Sequence, residues 1–75
     1  MQDELTKREL EVYKYLLEGI DFYSIADLLG VKRSTIATHV LHVFSKKLVN
    51  SRQELMAQRI KELEEEVKEL QRRTA

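Results

Sequence analysis

The chain has no cysteine, no proline and no tryptophan, and only two glycines among 75 residues. Without cysteine it can form no disulfide, no thiolate zinc site and no cysteine nucleophile. A chain this short buries only roughly 60% of its unfolded surface, so its core is thin. Domains of this size usually need a disulfide, a metal or a partner subunit. With disulfides and thiolate metal sites excluded, the expected staple is a second copy of the chain. The missing cysteines also fit a cytoplasmic setting. Long apolar runs are missing too. No segment approaches the ~20 residues of a membrane span. The opening MQDELTKREL lacks the apolar centre of a signal peptide, so no membrane partner is expected. Lacking proline but rich in Leu, Glu, Lys and Arg, the composition predicts an all-α protein.

Acid is also missing, but only in one place. The net charge is zero, yet no Asp or Glu lies between Gly30 and Arg52. Residues 31–52 carry five bases (Lys32, Arg33, Lys46, Lys47, Arg52), whereas residues 1–30 carry seven acids and three bases. Such a block suits a polyanion partner; it also suits a merely solvated basic face.

Four helices can be read. The first spans about Lys7 to Glu18, opened by the capping-box pair Thr6 and Glu9 with Leu5 and Leu10 as a hydrophobic staple. Leu10, Tyr13, Leu16 and Leu17 form its apolar face, and Gly19 suits its left-handed end. The second spans about Phe22 to Leu29 with Asp21 as N-cap, and Ile25, Leu28 and Leu29 face inward. The third spans about Arg33 to Lys46, with Ile36, Val40, Val43 and Phe44 inward. Its cap position holds Lys32, a poor capping residue. The fourth starts at Arg52 behind the capping-box pair Ser51 and Glu54 and runs to about Arg72.

Met56, Ile60, Leu63, Val67 and Leu70 alternate at spacings of four and three along that last helix. With β-branched residues at one seam position (Ile60, Val67) and Leu or Met at the other, they predict a short, parallel, two-stranded coiled coil. In it, Arg59 would face Glu64 of the partner. The expected division is residues 1–55 as a globular domain and 56–75 as a dimerisation helix continuous with its fourth helix.

The stretch SIADLLGVKRSTIATHV holds Ala26, Gly30 and Ile36. Two short helices crossing steeply need a small residue where they touch and a sharp turn between them. Ala26 lets the backbones approach, Gly30 accepts the positive φ of the turn, and Ile36 fills the crevice. This is a helix-turn-helix layout, whose second helix enters the DNA major groove, although a purely structural helical hairpin can share the spacing. A duplex bears one charge per ~1.7 Å, so an acid-free stretch at the turn agrees with the groove reading.

The run LTKRELEVYKYLLEG, followed by IADLLGVKRSTIATHV and SRQEL, resembles the LuxR/FixJ-type (GerE-like) domain. Leu5, Thr6, Arg8, Glu9, Glu11, Val12, Gly19, Ile25, Ala26, Leu29, Thr35, His39, Val49, Ser51, Arg52 and Glu54 match that pattern in order, without gaps. The resemblance covers about Leu5 to Met56. It implies a four-helix DNA-binding domain of a bacterial-type transcription regulator, dimerising through its fourth helix. Three departures stand out. Ala37 and Leu41 occupy groove-facing positions that in the family often carry cations, which suggests either apolar contacts such as one to a thymine methyl or weak specific binding. The family's Lys-Leu-Gly-Val turn reads KKLV here, so the junction of the third and fourth helices is expected to be reshaped. Met1 lies only four residues before the motif, so no sensory domain is expected ahead of it unless the chain is a piece of a longer one.

On this reading Ala37, Thr38 and Leu41 lie nearest base edges and Arg33 reaches a guanine or a phosphate. Lys32, Ser34, Thr35, Lys46, Lys47 and Arg52 are phosphate candidates; Ser34 and Thr35 sit where free N–H groups at a helix start attract phosphate. His39 and His42 lack a third ligand at metal spacing, and His39 is expected to be packed. No nucleophile–base set, phosphate loop or paired acids suggest an enzyme, and no cofactor is expected. The expected function is sequence-specific binding of double-stranded DNA as a homodimeric transcription regulator, with RNA polymerase or another regulator as further partners. Two rivals use the same residues: a viral genome-packaging recognition subunit of higher oligomeric state, and a protein-interaction adapter that needs no DNA.

Overall fold

The computed structural model describes residues 4–74, with side chains described up to Arg73. It contains four helices: α1 (Lys7–Leu17), α2 (Phe22–Leu29), α3 (Arg33–Lys47) and α4 (Arg52–Thr74). Their starts follow local chemistry. The Glu9 N–H donates to Thr6 Oγ1 at 3.1 Å, and the Thr6 N–H donates back to Glu9 Oε1 at 2.9 Å. This reciprocal box satisfies two backbone donors at the helix start. Asp21 caps α2 by accepting from the Ser24 N–H and hydroxyl, bonds that hold its carboxyl below the ordinary carboxylate range. Lys32 caps α3 without any side-chain bond. At α4 the box is shifted: Ser51 accepts from the Glu54 N–H, but Glu54 accepts from Asn50 rather than Ser51.

The first three helices close alike. The N–H groups of Ile20, Val31 and Val49 donate to the carbonyls of Tyr15, Ala26 and Phe44, five residues back. Each donor follows a residue with positive φ: Gly19, Gly30 and Leu48. Each donor side chain then packs against the core. This wide turn, with an apolar residue just beyond it, ties up helix-end carbonyls. The third turn, between α3 and α4, lacks glycine but keeps the shape of the first two. Leu48 adopts φ 59° instead.

The core is Val12, Tyr13, Leu16, Ile25, Ala26, Ile36, Val40, Val43 and Leu55. Helix α3 packs mainly on α1 and α2, while α4 contributes Leu55 near its start. Leu10 and Leu28, expected inside, are exposed. On α2, the face centred on Ile25, Ala26 and Leu29 is the covered one. At ~100° per residue Leu28 lies about 110° round from that centre. Leu10 lies with Leu5 on an open rim shared with Gln58 and Glu62. Leu17 and Phe44 are half-buried against the core. Beyond Glu62 the fourth helix leaves the domain, which accounts for a long dimension of 49 Å against 27 and 21 Å. Among the described residues, no helix is long and apolar enough to cross a membrane.

Leu48 is 77% exposed, so its side chain gains little from burial, while a left-handed conformation costs an L-residue roughly 1–2 kcal/mol. Leu48→Gly should therefore stabilise the fold by about 0.5–1 kcal/mol after its extra unfolded-state freedom is subtracted. Thermal melts followed by circular dichroism should show Tm rising by a few degrees; an unchanged or lower Tm contradicts the strain.

Candidate nucleic-acid interface

Ile36, Val40 and Val43 are buried, and they set the rotation of α3. The opposite side then carries Arg33, Ser34, Ala37, Thr38 and Leu41, all exposed. Thr35 and His39 are half-buried on the flanks. The Thr38 hydroxyl donates to the Ser34 carbonyl at 3.3 Å. Leu41 is 65% exposed, an apolar side chain on the outward face. The sequence-predicted base-edge residues thus share one surface, joined by Lys32 and Arg33 at its start.

The other three bases of the acid-free block are engaged inside the protein. Lys46 Nζ donates to Glu9 Oε1 at 2.7 Å and to the Glu4 carbonyl at 3.3 Å. Lys47 lies over the Tyr13 ring, 4.8 Å from its centroid. Arg52 donates through Nε to the Leu16 carbonyl at 3.1 Å and through Nη2 to the Ile20 carbonyl, with its guanidinium near the Phe22 ring. It ties the end of α1 to the start of α4. Burial in sequence-neutral partners was not visible from the run of charges, because these partners lie 32 to 42 residues away. By contrast, Arg33 lies 4.1 Å from the centroid of the Tyr23 ring and makes no ion pair among the described residues. Sequence reasoning gave Tyr23 no place beside Arg33. Its only local signal is that two successive aromatics, Phe22 and Tyr23, cannot both face one core.

Glu9 is the one buried charged residue among those described. The Lys46 ammonium, and after it the Thr6 N–H, hold its carboxyl below the ordinary value of 4.5. His42 Nδ1 stands 3.6 Å from the other carboxylate oxygen. Glu9 therefore does two jobs: it caps α1 and anchors the second half of α3. His42 turns toward this carboxylate. Among the described residues no group of three or more His, Cys, Asp or Glu is placed to hold a metal ion.

Comparison with known proteins agrees with this geometry. Residues 3–58 match the model of the family described as "Bacterial regulatory proteins, luxR family". The chain belongs to the luxR family. A curated relative in Aeromonas salmonicida, named "Putative HTH-type transcriptional regulator in exeN 3'region", is 42% identical over 53 residues. That match covers 71% of this chain and 27% of the relative, so the chain spans about a quarter of that protein's length. Within the luxR-family region lie all the helix-turn-helix residues and the first part of α4. The apolar stripe from Ile60 to Leu70 lies beyond it.

Because the folded-state pKa of Glu9 is depressed, its stabilising contribution is present above about pH 4.5 and is lost as pH falls through the lowered value. Glu9→Gln should flatten the acid limb of the stability curve. Lys46→Met leaves a buried carboxylate without its cation and should cost roughly 2 kcal/mol, discounted for the partial exposure of Lys46. Urea unfolding across pH 3–7 measures both; identical acid limbs for the wild type and Glu9→Gln would contradict the assignment.

Proposed function

We propose that the chain binds double-stranded DNA sequence-specifically as the recognition module of a homodimeric, cytoplasmic transcription regulator. The observation that carries this reading is the free outward face of α3. It runs from Arg33 to Leu41, bears no acid and is exposed, with the Tyr23 ring lying against it only at Arg33. A helix of this width fits the major groove. Ala37, Thr38 and Leu41 then meet base edges, where methyl and isobutyl groups favour the thymine methyl over polar edges. Lys32 and Ser34 hold the backbone phosphates. Thr35 supports them from the flank.

Dimerisation belongs to the same reading. Met56, Ile60, Leu63 and Val67 lie exposed on one stripe of α4, and Leu70 continues the register. A parallel pairing of two such stripes buries them and places Arg59 beside Glu64 of the second copy. Within one chain Arg59 already pairs with Glu62 at 3.1 Å and lies 3.9 Å from Glu66, so the seam edge is charged. Residues 56–75 act as the dimerisation helix and residues 1–55 as the reader. Two readers related by a parallel coil address two-fold half-sites about one helical turn, ~34 Å, apart. RNA polymerase or another regulator would meet the surfaces left free.

Because Lys46, Lys47 and Arg52 are engaged internally, the phosphate footprint is small. With about two free cations per chain, log K should fall with log salt at a slope on the order of −2 per bound chain. A mobility-shift titration at several salt concentrations checks this; no binding to any duplex at low salt removes the DNA reading. Leu63→Asp should give a monomer that binds a two-fold site at least tenfold more weakly, since linkage between the readers is lost. Sedimentation of the variant as an intact dimer would refute the coil, and a wild-type ring of many copies would favour the packaging reading.

A further inference from the structure

The outward face of α3 is poor in groups that can discriminate by hydrogen bonding. Ala37 and Leu41 carry no polar atom, and the Thr38 hydroxyl donates to its own helix. Arg33 precedes them at four-residue spacing, so Arg33, Ala37 and Leu41 follow one stripe along the helix. Its guanidinium is the one planar, multi-donor group on that stripe. It lies over the Tyr23 ring at 4.1 Å, and among the described residues no carboxylate pairs with it. Tyr23 projects from the start of α2 and is 58% exposed, so the ring serves no core. We propose that Tyr23 is a specificity-determining residue: it stacks the Arg33 guanidinium so that the fork's in-plane N–H groups address a guanine in each half-site.

This deepens the DNA-binding reading and rests on it. Stacking leaves the donors at the edge of the guanidinium free while one face is covered. An arginine held in this way loses less rotamer freedom when it binds O6 and N7 of guanine as a pair of acceptors. A phosphate contact would gain little from a fixed plane, and Lys32 next door already supplies a compact charge for that purpose. The remaining outward groups are apolar, so the guanine contact would provide most of the polar discrimination of the half-site.

The test starts from a site selected out of random duplex by the wild-type protein. Selected half-sites should share a guanine whose replacement by 7-deazaguanine, which lacks the N7 acceptor, weakens binding about tenfold, as a lost bidentate contact does. Arg33→Ala should abolish that penalty, so that both DNAs bind this variant alike. Tyr23→Ala should reduce the penalty to about threefold, and Tyr23→Phe should keep it in full, because the ring and not the hydroxyl carries the stacking. Tyr23→Ala and Tyr23→Phe should retain the wild-type affinity for random duplex within a few-fold. Arg33→Ala should weaken it and flatten its salt dependence, because one of two free cations is lost. The circular dichroism of all three should match, since both side chains are exposed. In the free protein, the side-chain proton resonances of Arg33 should lose their ring-current shift in Tyr23→Ala. Equal 7-deazaguanine penalties in the wild type and Tyr23→Ala would overturn the role of Tyr23. So would a selected site in which no guanine depends on Arg33. Failure of the wild type to bind any duplex would overturn the underlying reading as well, which separates the two.

Discussion

The rotation of α3 is the constraint on which the rest of the structure depends. Ile36, Val40 and Val43 recur at spacings of four and three and are all buried. Turning the helix by one residue, ~100°, would bring Ala37 and Leu41 toward the core and turn three β-branched side chains away from it. The same apolar contacts that hold the domain together therefore decide which side chains look outward. With only nine buried apolar residues among those described, α3 shares its core with the rest of the domain rather than resting on a separate scaffold. The proposed reading face and the core are two sides of one helix.

Charge obeys the same economy of space. A count along the chain gives five bases in a block without acids, but only Lys32 and Arg33 of these are exposed, and Arg33 rests against the Tyr23 ring. Lys46 neutralises Glu9, a carboxylate that would otherwise be left buried at the start of α1. Arg52 donates to the Leu16 carbonyl near the end of α1 and to the Ile20 carbonyl in the turn that follows. Both cations fasten α1, from opposite ends, to the elements that follow. The block's lack of acid still matters. It leaves the outward face without a carboxylate to repel a polyanion, even though the number of cations there is small.

What was legible in the sequence was local. Thr6 with Glu9, Asp21 and Ser51 marked helix starts because a cap lies within three residues of the N–H it serves. Gly30 marked the turn because few other residues adopt positive φ without strain. The burial of Ile36, Val40 and Val43 followed from periodicity. Leu10 and Leu28 were misjudged because periodicity shows which positions share a face but not how much of that face a neighbour covers. Leu48 shows a further limit. The bond from Val49 to Phe44 and the packing of Val49 impose a left-handed residue whether or not it is glycine. The pairs Glu9–Lys46, Arg52–Leu16 and Tyr23–Arg33 were invisible for one reason: tertiary contact selects them, and nothing in the intervening residues records the choice.

The fourth helix joins these two scales. Its first turns belong to the domain: Leu55 is fully buried, and Gln58 donates to the Lys47 carbonyl at the end of α3. From Met56 onward its apolar stripe faces away from the domain, yet there is no break, glycine or proline between the two parts. A helix without a hinge transmits orientation. Any second copy paired along that stripe would be fixed relative to Leu55, through Leu55 to the core, and through the core to the rotation of α3. In the proposed dimer, the separation and angle of the two outward faces are then set by helix packing rather than by a flexible linker. Reading of a spaced, two-fold site requires that rigidity, because a linker free to vary would dilute the second reader to the effective concentration of a loose tether.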